Sequence, residues 1–187
     1  CLVADYTQTR DIDIKKDLTV EGRTKADGTS PVFTHAPSWD VISIGDMDDP
    51  DAACTVVFKN FDYNTVNLKQ SGSIYVRRDS SFTMENMNIV YGVGVQAHFC
   101  TKGLVRLYGG NNDLTFKSCT FKALDQMNTP IRPGIVSIDQ GEGVGNTVMI
   151  DECDIDFSMA IAPVYIFQCN DETAAQNTLI LRNSTFK

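Results

Sequence analysis

Apolar and polar residues alternate along this chain in short runs that recur about every thirty residues. Six runs read apolar, variable, apolar, charged and then, in most copies, a turn-former. They are Leu18–Gly22, Val56–Asn60, Phe82–Asn86, Leu114–Ser118, Val148–Glu152 and Leu179–Asn183. Alternation with a period of two marks a half-buried strand, not a helix. A second short alternation follows most copies, as in Phe61–Tyr63, Met87–Ile89, Cys119–Phe121, Cys153–Ile155 and Ser184–Phe186. Gly22, Asn60, Asn86 and Asn183 lie between the two strands, and Gly and Asn tolerate the left-handed backbone that a sharp bend requires. Ser118 and Glu152 suit that position less well.

A third strand precedes most motifs, at Val41–Ile44, Ile74–Val76, Leu104–Leu107, Ile135–Ile138 and Val164–Phe167, and glycines such as Gly45, Gly109 and Gly141 follow several of them. The repeating unit is therefore strand, loop, strand, bend, strand, loop. Three short strands recurring at this interval predict an all-β fold, a parallel β-helix (solenoid) of about five to six rungs. Parallel crossovers set its hand as right-handed. A β-sandwich of short alternating strands is the competing architecture.

Stacking in register makes a further demand that the residues meet. The inward columns become Leu18, Val56, Phe82, Leu114, Val148, Leu179 and Val20, Phe58, Met84, Phe116, Ile150, Leu181, all apolar. The outward column becomes Glu21, Lys59, Glu85, Lys117, Asp151, Arg182, with its sign changing at every step. Opposite charges facing each other across a sheet contribute about 0.2–1 kcal/mol, and like charges destabilise. Cys119 and Cys153 fall in one inward column and read as buried thiols in preference to a disulfide.

The residues Ile12–Gly22, the bend asparagines Asn60, Asn86 and Asn183, and the closing Leu181–Phe186 together resemble the pectate-lyase-like superfamily of right-handed parallel β-helices. The last segment is similar to β-helix domains of Bacteroidetes surface lipoproteins. The resemblance spans most of residues 12–187. It implies an extracellular or cell-surface protein that binds or cleaves polysaccharide, although a fold does not by itself carry an activity. It also implies that a lyase of this kind would use a cation to neutralise a uronate and Lys or Arg as base. The chain is read as one domain, 1–187, truncated or capped by a partner protein at the C-terminal rung. Cys1 reads either as a lipidated residue anchoring the chain to a membrane or as the start of a fragment.

A net charge of −8 argues against nucleic acid, because neutralising phosphates takes clustered Lys and Arg. The six cysteines form no Cys-x-x-Cys and the two histidines are far apart, which disfavours a zinc site. Two clusters remain as candidate chemistry. Asp46, Asp48, Asp49 and Asp51 crowd one loop, where several oxygen ligands would suit Ca²⁺ or, with Pro50, simply form a solvated acidic turn. Outward positions of the third strands bring Tyr75, Arg77, Arg106, Tyr108 and Asp139 onto one face, with Arg132 nearby. Aromatic rings and guanidinium forks suit sugar rings and carboxylates, or else they cover apolar surface with their stems. Three functions stay open: a polysaccharide-binding or adhesin-like β-helix, a polysaccharide lyase or glycoside hydrolase, and a structural module of a larger surface complex.

Overall fold

The structure is a computed structural model that describes residues 1–35, 41–65, 74–91, 103–123, 134–138, 143–158, 165–169 and 176–187. After β1 (Tyr6–Thr7) the strands come in triplets. The first is β2 (Ile12–Ile14), β3 (Leu18–Glu21) and β4 (Val32–His35). The second is β5 (Ile42–Ile44), β6 (Thr55–Lys59) and β7 (Asp62–Thr65), and the third β8 (Ile74–Val76), β9 (Ser81–Glu85) and β10 (Asn88–Tyr91). The fourth is β11 (Val105–Leu107), β12 (Asp113–Lys117) and β13 (Thr120–Ala123). The fifth is β14 (Gly134–Ile138), β15 (Thr147–Asp151) and β16 (Asp154–Asp156), and the last β17 (Tyr165–Cys169), β18 (Thr178–Arg182) and β19 (Thr185–Phe186).

Like strands of successive triplets pair, so three sheets run the length of a β-solenoid. Sheet I holds β2, β5, β8, β11, β14 and β17; sheet II holds β3, β6, β9, β12, β15 and β18; sheet III begins at β1 and ends at β19. Every strand pairing among the described residues is parallel, which excludes the sandwich. In sheets I and II four strands have neighbours on both sides. About four turns are thus fully enclosed, against the five to six rungs expected.

The apolar columns explain why these runs become strands. Val56, Phe82, Leu114 and Val148 are in register in sheet II, as are Phe58, Met84, Phe116 and Ile150, and all eight are buried. At roughly 1.5–3 kcal/mol per fully buried large side chain, such columns supply the main driving force. The same columns fray at both ends: Leu18, Leu179 and Leu181 are 42%, 39% and 46% exposed, since only one neighbouring coil shields them. Inside sheet III, Tyr6, Phe33 and Tyr63 stack in register, with ring centroids 5.2 and 5.4 Å apart. Cys119 and Cys153 are buried free thiols, and the hydrogen bond between them, with burial, pushes the Cys119 thiol far up.

The bend between sheets II and III follows the expectation with one correction. Asn60, Asn86, Ser118, Glu152 and Asn183 all have φ between +49° and +63°. Gly22, in the equivalent place, is not among the left-handed residues. A Cβ there would lie 2.2 Å from the Asn60 carbonyl oxygen, so close approach and not backbone hand requires the glycine. The chain then leaves the coil over residues 23–31 before β4 begins.

The bend between sheets I and II has its own ladder. Asn146 Oδ1 accepts from the backbone N–H of Asn112 at 3.0 Å and from its amide at 2.9 Å. Asn177 Oδ1 does the same for Asn146, at 2.9 Å each. Asn112 Oδ1 accepts from Ser80 N at 3.3 Å, and Ser80 Oγ from Cys54 N at 3.3 Å. Ser80, Asn112 and Asn146 are buried, so these polar groups satisfy one another where water does not reach.

Candidate functional site

On the outer face of sheet I, β5, β8, β11 and β14 set Ser43, Tyr75, Arg106 and Ser137 side by side, each flanked by inward apolar residues. Arg77 and Tyr108 form the next outward positions, because Arg77 N donates to Ile44 O and Tyr108 N to Val76 O. Four of the six residues predicted for this face therefore meet. The Tyr75 and Tyr108 rings lie edge to face at 5.3 Å. The Arg106 guanidinium sits 4.4 Å from the Tyr108 centroid and 5.6 Å from that of Tyr75. Arg77 lies 5.5 and 5.6 Å from the two rings, and its Nη2 donates to Ser43 Oγ at 3.3 Å. The remaining two, Arg132 and Asp139, lie outside the described residues.

Burial divides the cluster. Arg106 is only 6% exposed and packs against both rings. Tyr75, Arg77 and Tyr108 are half-buried and keep a face toward solvent. Burial pushes the Tyr108 hydroxyl up, and the Arg106 charge works against that, so the phenol stays a neutral donor at physiological pH. Two cations held against two aromatic rings can stack a sugar and attract its carboxylate.

The acidic loop uses its carboxylates locally. Asp46 pairs with Lys15, which holds its carboxyl below the usual range, and its other oxygen accepts from Asp48 N at 3.1 Å. Asp49 Oδ1 accepts from Asp51 N at 3.0 Å, next to the short 3-10 turn Pro50–Ala52. Asp46, Asp48, Asp49 and Asp51 are not drawn into one ligand set. Among the described residues no three His, Cys, Asp or Glu side chains converge in the manner of a metal site.

Periodicity also misses a groove of about 600 Å³ beside the bend between sheets II and III. It borders the first four triplets, from Arg23 and Ser30 through Asn60 and Asn86 to Ser118 and Thr120. Its signal in the sequence is faint: the 38-residue spacing between the first two motifs, longer than any other, marks the excursion that becomes one wall. Compared with family models, curated proteins and solved structures, the chain returns no match, and its assignment as a parallel β-solenoid rests on the topology itself.

Proposed function

We propose that this chain is an extracytoplasmic polysaccharide-binding β-solenoid that holds an acidic glycan on the outer face of sheet I. The observation that carries this is the packed group of Tyr75, Arg77, Arg106 and Tyr108, in which two guanidinium groups lie within 5.6 Å of two ring centroids. Resemblance to the pectate-lyase-like superfamily and to Bacteroidetes surface lipoproteins supports the cell-surface setting and the class of ligand. Stacked strands repeat every ~4.8 Å, a step that an extended saccharide follows along the axis. Tyr75 and Tyr108 offer their half-buried rings to the sugar, Arg77 meets its carboxylate, and Arg106, packed against both rings, limits the side-chain entropy lost on binding. The net charge of −8 repels a polyanion at long range, and the Arg pair acts within about a Debye length, ~8 Å at physiological salt.

A glycan array, run with and without Ca²⁺, tests this against the Arg77→Ala, Tyr108→Ala double variant. Arg106 is left intact because it is buried. Uronate-bearing glycans should lose about tenfold or more in affinity, the equivalent of about 1.4 kcal/mol. Unchanged binding in a folded variant places the glycan elsewhere.

A further inference from the structure

We infer that the bend between sheets II and III carries a second, separate binding groove, whose ligand is an uncharged, hydroxyl-rich linear saccharide. The volume, about 600 Å³, lies within the ~300–1,000 Å³ typical of ligand sites. Four triplets contribute to it, so at ~4.8 Å per coil its long axis runs about 14 Å parallel to the solenoid.

The groove is held in shape before any ligand arrives. Arg23, Thr24 and Ser30, near the two ends of the 23–31 excursion, line one side, and the excursion between them is tied down at several points. Lys25 N donates to Thr29 O at 2.8 Å, and Lys25 Nζ pairs with Asp5 at 3.0 Å. Asp27 Oδ1 accepts from both Thr29 N and Thr29 Oγ1. Amides and hydroxyls run along the groove, beside Phe61 and Met87. Asn86 Nδ2 donates to Asn60 Oδ1 at 2.8 Å, and Asn60 Nδ2 to Glu21 Oε1 at 3.3 Å. Thr120 Oγ1 donates to Asn88 Oδ1 at 2.7 Å, and the Asn88 amide serves the Asp62 carboxylate. Each asparagine amide has two N–H donors and two acceptor lone pairs, more than these contacts use. Sugar hydroxyls, which both donate and accept, match such a surface.

Charge selects against an ionic ligand. Arg23 and Asp62 both line the groove with opposite sign, and the flanking outward column adds Glu21 and Glu85 together with Lys59 and Lys117. Neither sign dominates, in contrast to the paired guanidinium groups on sheet I. The two sites lie on different sheets and share no residue, so they stand or fall independently.

Linear neutral hexasaccharides of glucose, xylose and mannose provide the probe, titrated to about 10 mM into ¹⁵N-labelled protein. The side-chain amide signals of Asn60, Asn86 and Asn88 report. At least one hexasaccharide should shift them saturably. Two variants then check the contact. Asn86→Gly removes the amide at φ +53°, where glycine is comfortable, and Thr120→Val removes a hydroxyl at nearly constant volume. Each should weaken binding about three- to tenfold, as the loss of one hydrogen bond does. Arg77→Ala with Tyr108→Ala should leave this titration unchanged while weakening acidic-glycan binding about tenfold or more. Absence of saturable shifts with every hexasaccharide, or wild-type affinity in both groove variants, overturns the site. Equal or tighter binding of hexagalacturonate at the same amides overturns the uncharged ligand.

Discussion

The two bends of each coil solve one problem by opposite means. Both turn the chain sharply from one sheet to the next, and both recruit asparagine. Between sheets I and II Asn112 and Asn146 are buried and Asn177 is half-buried, and their side chains work as hydrogen-bonding groups: Asn146 serves the backbone N–H and the amide of Asn112 and is itself served by Asn177. Between sheets II and III the side chains face outward, and the residue matters for its backbone, held at φ +49° to +63°. The first bend selects a side chain that completes a buried network. The second selects tolerance of a left-handed conformation, which costs an ordinary residue about 1–2 kcal/mol. A single residue type thus hides two different physical demands.

Substitution separates them most strongly at Asn146. Asn146→Ala strands the buried backbone N–H of Asn112 and frees one acceptor of Asn177, at a cost of about 2–3 kcal/mol. For a chain of this size the melting temperature should fall by about 4–12 °C, read by calorimetry or circular dichroism. At the other bend the sign reverses. Ser118→Gly and Glu152→Gly relieve φ +52° and +56° and give up only the exposed Ser118–Glu152 hydrogen bond, so each should stabilise by about 0.5–1 kcal/mol. Destabilisation at both bends would show that they work alike.

The same contrast marks what was legible in the sequence. Sheet II reads directly, because burial on one side of a strand imposes a two-residue period, and Leu114-Thr-Phe-Lys shows it plainly. The outer bend is legible where it carries Asn60, Asn86 or Asn183 and obscured at Ser118 and Glu152, where the register of the stack imposes the conformation that the residue does not prefer. Asn112 and Asn146 look like loop residues close to glycines, and Asn177 like an ordinary polar loop position, since the ladder that joins them links coils more than thirty positions apart in sequence. Strand β4 lies behind the 23–31 excursion, beyond the reach of a template built on a two-residue bend. At the candidate site, alternation places Tyr75, Arg77, Arg106 and Tyr108 on one face, yet no local period encodes that Arg106 is buried while the other three are only half-buried.

A smaller effect probes the groove side of the outer bend. Burial raises the Asp62 carboxyl above the usual carboxylate range, and the Asn88 hydrogen bond only partly offsets this. The folded protein therefore holds this proton more firmly than the unfolded chain does. The resulting stability is present below the unfolded pKa and is lost as pH rises through the folded one. Asp62→Asn abolishes that loss. Its melting temperature relative to wild type should climb as pH rises from about 4, the ordinary aspartate range, and a difference that stays flat would remove the buried-acid account.

The smallest effect lies on the outward column between the two bends. Glu21, Lys59, Glu85, Lys117, Asp151 and Arg182 are in register as the alternation predicts. Contact, however, is discrete: Lys59 reaches Glu21 at 3.4 Å, Lys117 reaches Glu85 at 3.5 Å, and Arg182 reaches Asp151 at 2.9 Å. The steps from Lys59 to Glu85 and from Lys117 to Asp151 show no ion pair among the described residues. A flexible amine on an exposed strand leans toward one carboxylate and does not bridge two. Lys117→Met therefore removes one exposed pair, at a cost of about half a kcal/mol or less. Lys117→Glu sets three acidic side chains in a row, and its further cost measures the repulsion transmitted along the column. That increment should be largest at low ionic strength and fade as the Debye length shrinks to ~3 Å near 1 M salt. Equal melting temperatures for the Met and Glu variants at low salt would show that the alternating signs reflect solubility, with no contribution to the register of the stack.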